Sequence, residues 1–419
     1  MNVRNILAFI FVGISLNQIL QLPVPYLTIA QPMLIVGFIV FFIFRFLVKG
    51  LKRGDYSHEL FWTITIAVMT VASPVKAFMV FGQPLMLGLQ TQAVVTLPAI
   101  SSIITVILLK QGFFTLNAIK KSILFWILSV ILIQLPMYLF IDGKIFVEKY
   151  PLVARGQGVY SFDPAIACIG LFLSLWYIFF KKKYAYLILA FLMAFFIFAV
   201  NGKVTTIFSL ALSFFVSLYF IFGWRKFSLA LILILYLAAF VFLLLLLIGP
   251  GTESGIYRDF YYAFLLLSEG SALGDAGTDI RAAEFDIAKT FIWENPFFGN
   301  GKIANDWSGG IESVLGYFYP SDIGIFGVVF VYGLIPTFLI LSASLVKVVR
   351  RDLVSGDEAA FAYSIFATLI MLFTQGFARG GVFLSPVTLV FLSLLLQYLF
   401  ALSASKRALL EGDTGHRKN

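Results

Sequence analysis

The chain is poor in charge, histidine and cysteine, and each shortage excludes a class of protein. Charged residues make up 12% of its 419 positions, against about a quarter in an ordinary soluble domain. With 61% hydrophobic residues, a soluble body of this length could not present a polar exterior. The single cysteine, Cys168, excludes an intramolecular disulfide and reads as a small apolar filler within a span. His58 and His416 are the only histidines, so there is no Cys/His cluster for a metal. The phosphate-cradling G-x-x-x-x-G-K-[ST] loop is also missing, which excludes nucleotide triphosphate chemistry by that route. The N-terminal run MNVRNILAFIFVGISLNQIL lacks a small-residue cleavage site and reads as a first span, not a removable signal.

What the chain has instead is long apolar runs. Lipid forces every backbone polar group to be satisfied internally, so the choice lies between helices and a closed barrel. Barrel strands would alternate apolar and polar residues over about ten positions. Here the runs are unbroken and about twenty residues long, the length of a membrane-crossing helix. An all-α polytopic membrane protein with about twelve spans follows. They are expected near 5–22, 31–48, 60–80, 91–109, 122–140, 163–180, 185–200, 205–222, 229–248, 322–343, 360–376 and 384–404.

Orientation follows from lysine and arginine, which collect on the cytoplasmic side. With the N-terminus inside, the inward segments hold Lys49, Lys52, Arg53, Lys110, Lys120, Lys121, Lys181 to Lys183, Arg225, Lys226, Lys347, Arg350 and Arg351. Arg4, Arg45 and the C-terminal Lys406, Arg407, Arg417 and Lys418 bring this to 20 of the 30 basic residues. The net charge of +9 is therefore a signature of topology and not a nucleic-acid footprint, which would gather its cations on one face. The expected division is a membrane domain over 1–248, an outward, periplasmic loop over 249–321, a second membrane portion over 322–404 and a disordered cytoplasmic tail over 405–419. The loop carries ten acids against four bases, and loops of that length are usually functional. Within it, GTDIRAAEFDIAKTFIWENPFFGNG predicts a helix capped by Thr278 or Asp279 and stopped by Asn295-Pro296. Its apolar stripe of Ile280, Ala283, Ile287 and Phe291 suits a helix lying along the outer membrane interface.

Outward arginine is where chemistry is expected. Arg155 sits in ARGQGVYSFDP and Arg379 in TQGFARGG, both among glycines that allow close backbone approach. Arg281 lies in the first turn of the loop helix, where free N–H groups favour anions. Arg258 stands near the start of the loop. A forked, permanently charged guanidinium is a natural partner for phosphate oxygens. The alternative for each is an ion pair with a loop acid or a lipid headgroup. Lys76, Asp163 and Lys203 are further candidates at membrane depth, although snorkelling at a helix end explains them as well.

The segment RAAEFDIAKTFIWENPFFGNG resembles the bacterial O-antigen polymerase and ligase superfamily of integral-membrane glycosyltransferases. The matching positions are Arg281, Trp293, Asn295, Pro296, Gly299 and Gly301, followed by YPSDIGIFGVVFVYG as the return to a span. RGQGVYSFDPAIACIGLFL is similar to the family's arginine-glycine element before a span. The resemblance implies a GT-C-like fold and a substrate of undecaprenyl-pyrophosphate-linked oligosaccharide on the outer face of the bacterial inner membrane. It implies pyrophosphate-holding roles for Arg155 and Arg281, with Asn295, Gly299 and Gly301 of the matching element as substrate contacts; Arg258 and Arg379 join them as substrate-binding candidates from their outward position alone. The ligase branch carries a loop histidine where this chain has Ser313, which favours polymerase over ligase. The paired arginine-glycine spacing of some polymerases is absent too, with Ile166 and Ile292 where glycine would fall.

The expected activity is therefore polymerisation of a surface polysaccharide. A sugar hydroxyl of one lipid-linked unit displaces the pyrophosphate of another, with no cofactor and no metal. Arg281 is the first candidate for stabilising the departing charge. Glu284, three residues on, either orients Arg281 or accepts the acceptor's proton; Asp279 is a second carboxylate in reach of that role. The expected partners are the lipid-linked oligosaccharide, membrane lipid, a chain-length regulator and a flippase. The competing readings are a ligase or oligosaccharide transferase, and a polytopic transporter or flippase.

Overall fold

The structure is a computed structural model. It describes residues 3–19, 27–50, 54–147, 154–155, 159–160, 162–201, 204–222, 276–304, 306–316, 318–345 and 358–415. In chain order its longer helices begin with α1 (Val3–Ser15), α2 (Leu27–Lys49), α3 (Ser57–Phe81), α4 (Leu85–Lys110) and α5 (Leu116–Phe140). Next come α6 (Ala165–Lys181), α7 (Tyr186–Asn201), α8 (Val204–Phe222) and α9 (Ala276–Glu294). The last are α10 (Ile325–Tyr332), α11 (Leu334–Leu345), α12 (Ala359–Ala378) and α13 (Val387–Gly415). Among the described residues, the one strand pairing is a two-residue antiparallel ribbon, Ala154–Arg155 against Val159–Tyr160.

Five helices are long and apolar enough to cross a membrane: α3, α4, α5, α12 and the Val387–Ser405 part of α13. Six shorter apolar segments lie in α1, α2, α6, α7, α8 and α11. A helix falls on every expected span except the ninth, 229–248, which is outside the described residues.

Packing follows the logic of lipid as solvent, with small and hydroxylated residues between helices and bulky apolar ones outside. Ser101, Ser102, Ser174, Ser364 and Thr368 are buried, and Ser102, Ser174 and Thr368 return their hydroxyls to the carbonyl four residues back. Phe44, Leu132, Phe140, Ile188 and Phe191 are exposed on the perimeter. The α3–α4 pair turns at Gly82, whose φ of 76° and hydrogen bond to the Phe78 carbonyl end α3 in a left-handed cap. Gly88 then faces Pro74, where a Cβ would come within 2.9 Å of the proline ring. In α5 a π-helical turn at Val130–Gln134 precedes Pro136, absorbing a residue that has no N–H to donate. α1 lies on this stretch, with Phe9 stacked on Trp126 at 4.8 Å and the Trp126 indole N–H donating to the Phe9 carbonyl. α12 packs against α6, α8 and α13, and the Trp62 indole of α3 donates to Ser393 of α13 at 3.0 Å.

Three expectations change. The loop helix starts at Ala276, so Thr278 and Asp279 lie inside its first turn, a place the helix dipole favours for an acid. Of its apolar stripe, Ile287 and Phe291 are half-buried against the core, with Phe291 meeting Phe81 and Phe330 each at 5.8 Å, while Ala283 is exposed. Phe285, Asp286, Lys289, Thr290, Trp293 and Glu294 are exposed with it. The tail expected to be disordered after Ala404 instead continues α13 to Gly415. Finally, the tenth span is divided at Gly333, with α10 on one side and α11 on the other.

Candidate functional site

The expected motif residues build two different structures. The first is a dock for the loop segment after α9. At Gly333 (φ 82°) the chain leaves α10 and starts α11, which exposes carbonyls at one helix end and N–H groups at the next. The segment 295–301 satisfies both sets. Asn300 and Gly301 donate their N–H groups to the Phe330 and Val331 carbonyls at 2.8 and 2.9 Å. The Pro296 and Phe297 carbonyls accept from the Leu334 and Ile335 N–H groups at 2.8 and 3.1 Å. Backbone lies on backbone here, so side chains are excluded: a Cβ on Gly299 would stand 2.5 Å from the Gly333 nitrogen. A Cβ on Gly301 would overlap the Ser73 carbonyl of α3.

Polar side chains fix the segment from both sides. Lys76 of α3 donates to the Asn295 amide oxygen at 2.6 Å, and the Asn295 amide nitrogen donates to Asn300 at 3.0 Å. The Gln83 amide accepts from the Ala304 N–H at 2.7 Å and donates to the Lys302 carbonyl at 3.3 Å. Ser73 accepts from the Lys302 N–H and from Gln92. Burial among these groups lowers the Lys302 ammonium pKa below its ordinary value. Glu284 belongs to the same assembly. It is buried in α9 and accepts from the Tyr319 N–H at 2.9 Å, which holds the returning chain against the helix.

The second structure is a cleft of about 290 Å³ at the end of the bundle where α1 and α12 finish and α6 and α13 begin. Arg379, Asp163, Asp322, Asn17, Gln375 and Thr388 are among its lining. Asp163 and Pro164 start α6, with the Asp163 Oδ1 accepting from the Ala165 N–H at 2.9 Å. Asn17, at φ 59° just past α1, also hydrogen-bonds the Asp163 side chain. Arg379 caps α12 through its N–H to the Gln375 carbonyl. Gln375, one turn inward, donates to Thr206 of α8 at 3.1 Å. Asp322 reaches the cleft because two glycines let the chain cross the α12 end. A Cβ on Gly380 would stand 2.5 Å from the Gly324 carbonyl, and one on Gly324 would overlap the Phe377 carbonyl.

Among the expected site residues, Arg379 lines the cleft. Asn295, Gly299, Gly301 and Glu284 lie in the loop dock. Arg155 has its backbone in the two-residue ribbon, eight positions before Asp163. Arg281 has its backbone in α9, and Arg258 and Lys203 lie outside the described residues. Sequence reasoning passed over Asn17, Asp322, Gln375 and Thr388. Asp163-Pro164 did carry a signal, an acid and a proline at a helix start. No group of three or more histidine, cysteine or acidic residues placed to hold a metal occurs among the described residues.

Apolar perimeter, hydroxyl-rich interior and membrane-length helices define a helical membrane protein. No family model matches this sequence, and no curated protein matches it.

Proposed function

We propose that this protein is a membrane glycosyltransferase that polymerises lipid-linked oligosaccharide repeat units on the outer face of a bacterial inner membrane. In this reading the chain crosses about twelve times with both termini cytoplasmic, and the cleft opens outward. The donor glycan hangs from undecaprenyl pyrophosphate. A hydroxyl on a second lipid-linked unit attacks the anomeric carbon, and the pyrophosphate leaves with the lipid.

The observation that carries the reading is the cleft itself: a charged, partly enclosed space at the helix ends, with an arginine and two carboxylates on its wall. Arg379 supplies a fixed positive charge for the departing pyrophosphate. Arg155 and Arg281 are the further cations we assign to it, from the resemblance of their segments to the polymerase superfamily. Gln375 and Thr388 place neutral hydrogen-bonding groups on the cleft wall, suited to sugar hydroxyls.

The test is glycan length in cells deleted for the gene and complemented with variants. Wild type should restore long chains. Arg379→Ala should leave single repeat units, and Arg379→Lys should rescue poorly, since a point charge cannot fork across two oxygens. Normal chain lengths in the deletion strain would reject the proposal.

A further inference from the structure

Resting on that reading, we propose that Asp163 is the general base that takes the proton from the acceptor sugar's hydroxyl, in the cleft that Arg379 also lines. The position is the first argument. Among the described residues, Asp163 and Asp322 are the carboxylates on the cleft wall. Glu284 is buried outside that wall and is committed to the Tyr319 N–H. Asp322 is exposed on a turn and shares one oxygen with the Ser321 hydroxyl at 3.2 Å. Asp163 is half-buried between two helix ends, so its direction is set by the fold.

Orientation is the second argument. The Ala165 N–H at 2.9 Å and the Asn17 side chain hold the carboxylate from the α6 and α1 sides. A carboxylate has about four acceptor positions, so two fixed bonds leave capacity for a substrate hydroxyl. The other charged groups on the cleft wall are Arg379 at the end of α12 and Asp322 of the turn before α10; the neutral Asn17 follows α1, and the buried Cys168 thiol lies further along α6.

The step balances. The acceptor oxygen forms its bond to the anomeric carbon as its proton passes to Asp163. The bond from that carbon to the pyrophosphate oxygen breaks, and its electron pair leaves on the pyrophosphate towards Arg379. The proton on Asp163 returns to solvent before the next cycle.

The experiment uses the full-length protein in proteoliposomes, with lipid-linked repeat units extracted from the deletion strain. Asp163→Asn keeps an oxygen for the Ala165 N–H but cannot take a proton. Its elongation rate should fall about 10²-fold or more, the usual contribution of a general base. Wild-type rate should fall on the acid side, as a carboxylate base takes up its own proton, and the residual Asp163→Asn rate should lack that acid limb. An Asp163→Asn rate within about threefold of wild type, or an acid limb that survives the substitution, overturns the assignment and leaves the polymerase reading standing. If wild type itself elongates nothing, the polymerase reading fails and the assignment with it. Should Asp163→Asn not fold, Asp163→Glu decides: an acid limb displaced from the wild-type position supports the base, and an unmoved limb overturns it.

Discussion

Gly301 shows how much a single atom decides in this molecule. Its φ of 86° is strained for any L side chain, and a Cβ would overlap the α3 backbone. Such strain costs roughly 1–3 kcal/mol before any overlap is counted. Gly301→Ala should therefore abolish the monodisperse peak in detergent size exclusion. Gly37→Ala, in open space on α2, should leave it intact and raise stability by up to about 1 kcal/mol. Glu284 gives a second test at this scale. An acceptor for the Tyr319 N–H survives in Glu284→Gln, so activity should fall by less than about tenfold, whereas Glu284→Ala should lower the thermal midpoint as well. A loss of several powers of ten in the glutamine variant would make Glu284 the base instead. The glycines of the N-P-x-x-G-x-G element stood out in the sequence, but the reason for them did not. A glycine admits a ligand and admits a neighbouring backbone equally well, and only the partner distinguishes the two. Here the partners are Gly333 and Ser73.

At the scale of elements, the loop segment joins a divided helix. Residues 295–301 donate to the end of α10 and accept from the start of α11, so the break costs few unpaired backbone groups. Lys76 anchors the splice from α3 through Asn295. Lys76→Met should lower stability by about 1–3 kcal/mol, read as a lower melting temperature of the purified protein, with an unchanged midpoint contradicting the splice. Apolar run length made most helices legible, since lipid-facing and interhelical residues are both apolar and the run ends where charge begins. The break at Gly333 was not legible, because VVFVYGLIPTF reads as one apolar run whether or not it is continuous. The packing of Ile287 and Phe291 on protein was hidden for a similar reason: the same spacing faces a membrane or a protein surface. The cleft was the least legible feature. Asn17, Asp163, Asp322 and Arg379 are spread over most of the chain and share no periodicity, so only the meeting of helix ends brings them together.

At the scale of the whole molecule, the cleft and the loop dock must face outward together for chemistry on the outer face. In a Cys168→Ser background, Ser308→Cys should react with a membrane-impermeant thiol reagent in intact cells, and Lys182→Cys only after lysis. The reverse pattern would invert the assigned topology. Charge stabilisation by arginine also predicts that excess chelator leaves elongation unchanged, and restoration of a chelated reaction by Mg²⁺ would contradict that mechanism. The most direct test counts products. Purified protein in proteoliposomes, given lipid-linked repeat units from the deletion strain, should lengthen the glycan and release one undecaprenyl pyrophosphate for each unit joined. Movement of units across the bilayer with no lengthening and no released lipid pyrophosphate would contradict the account and make this chain a transporter.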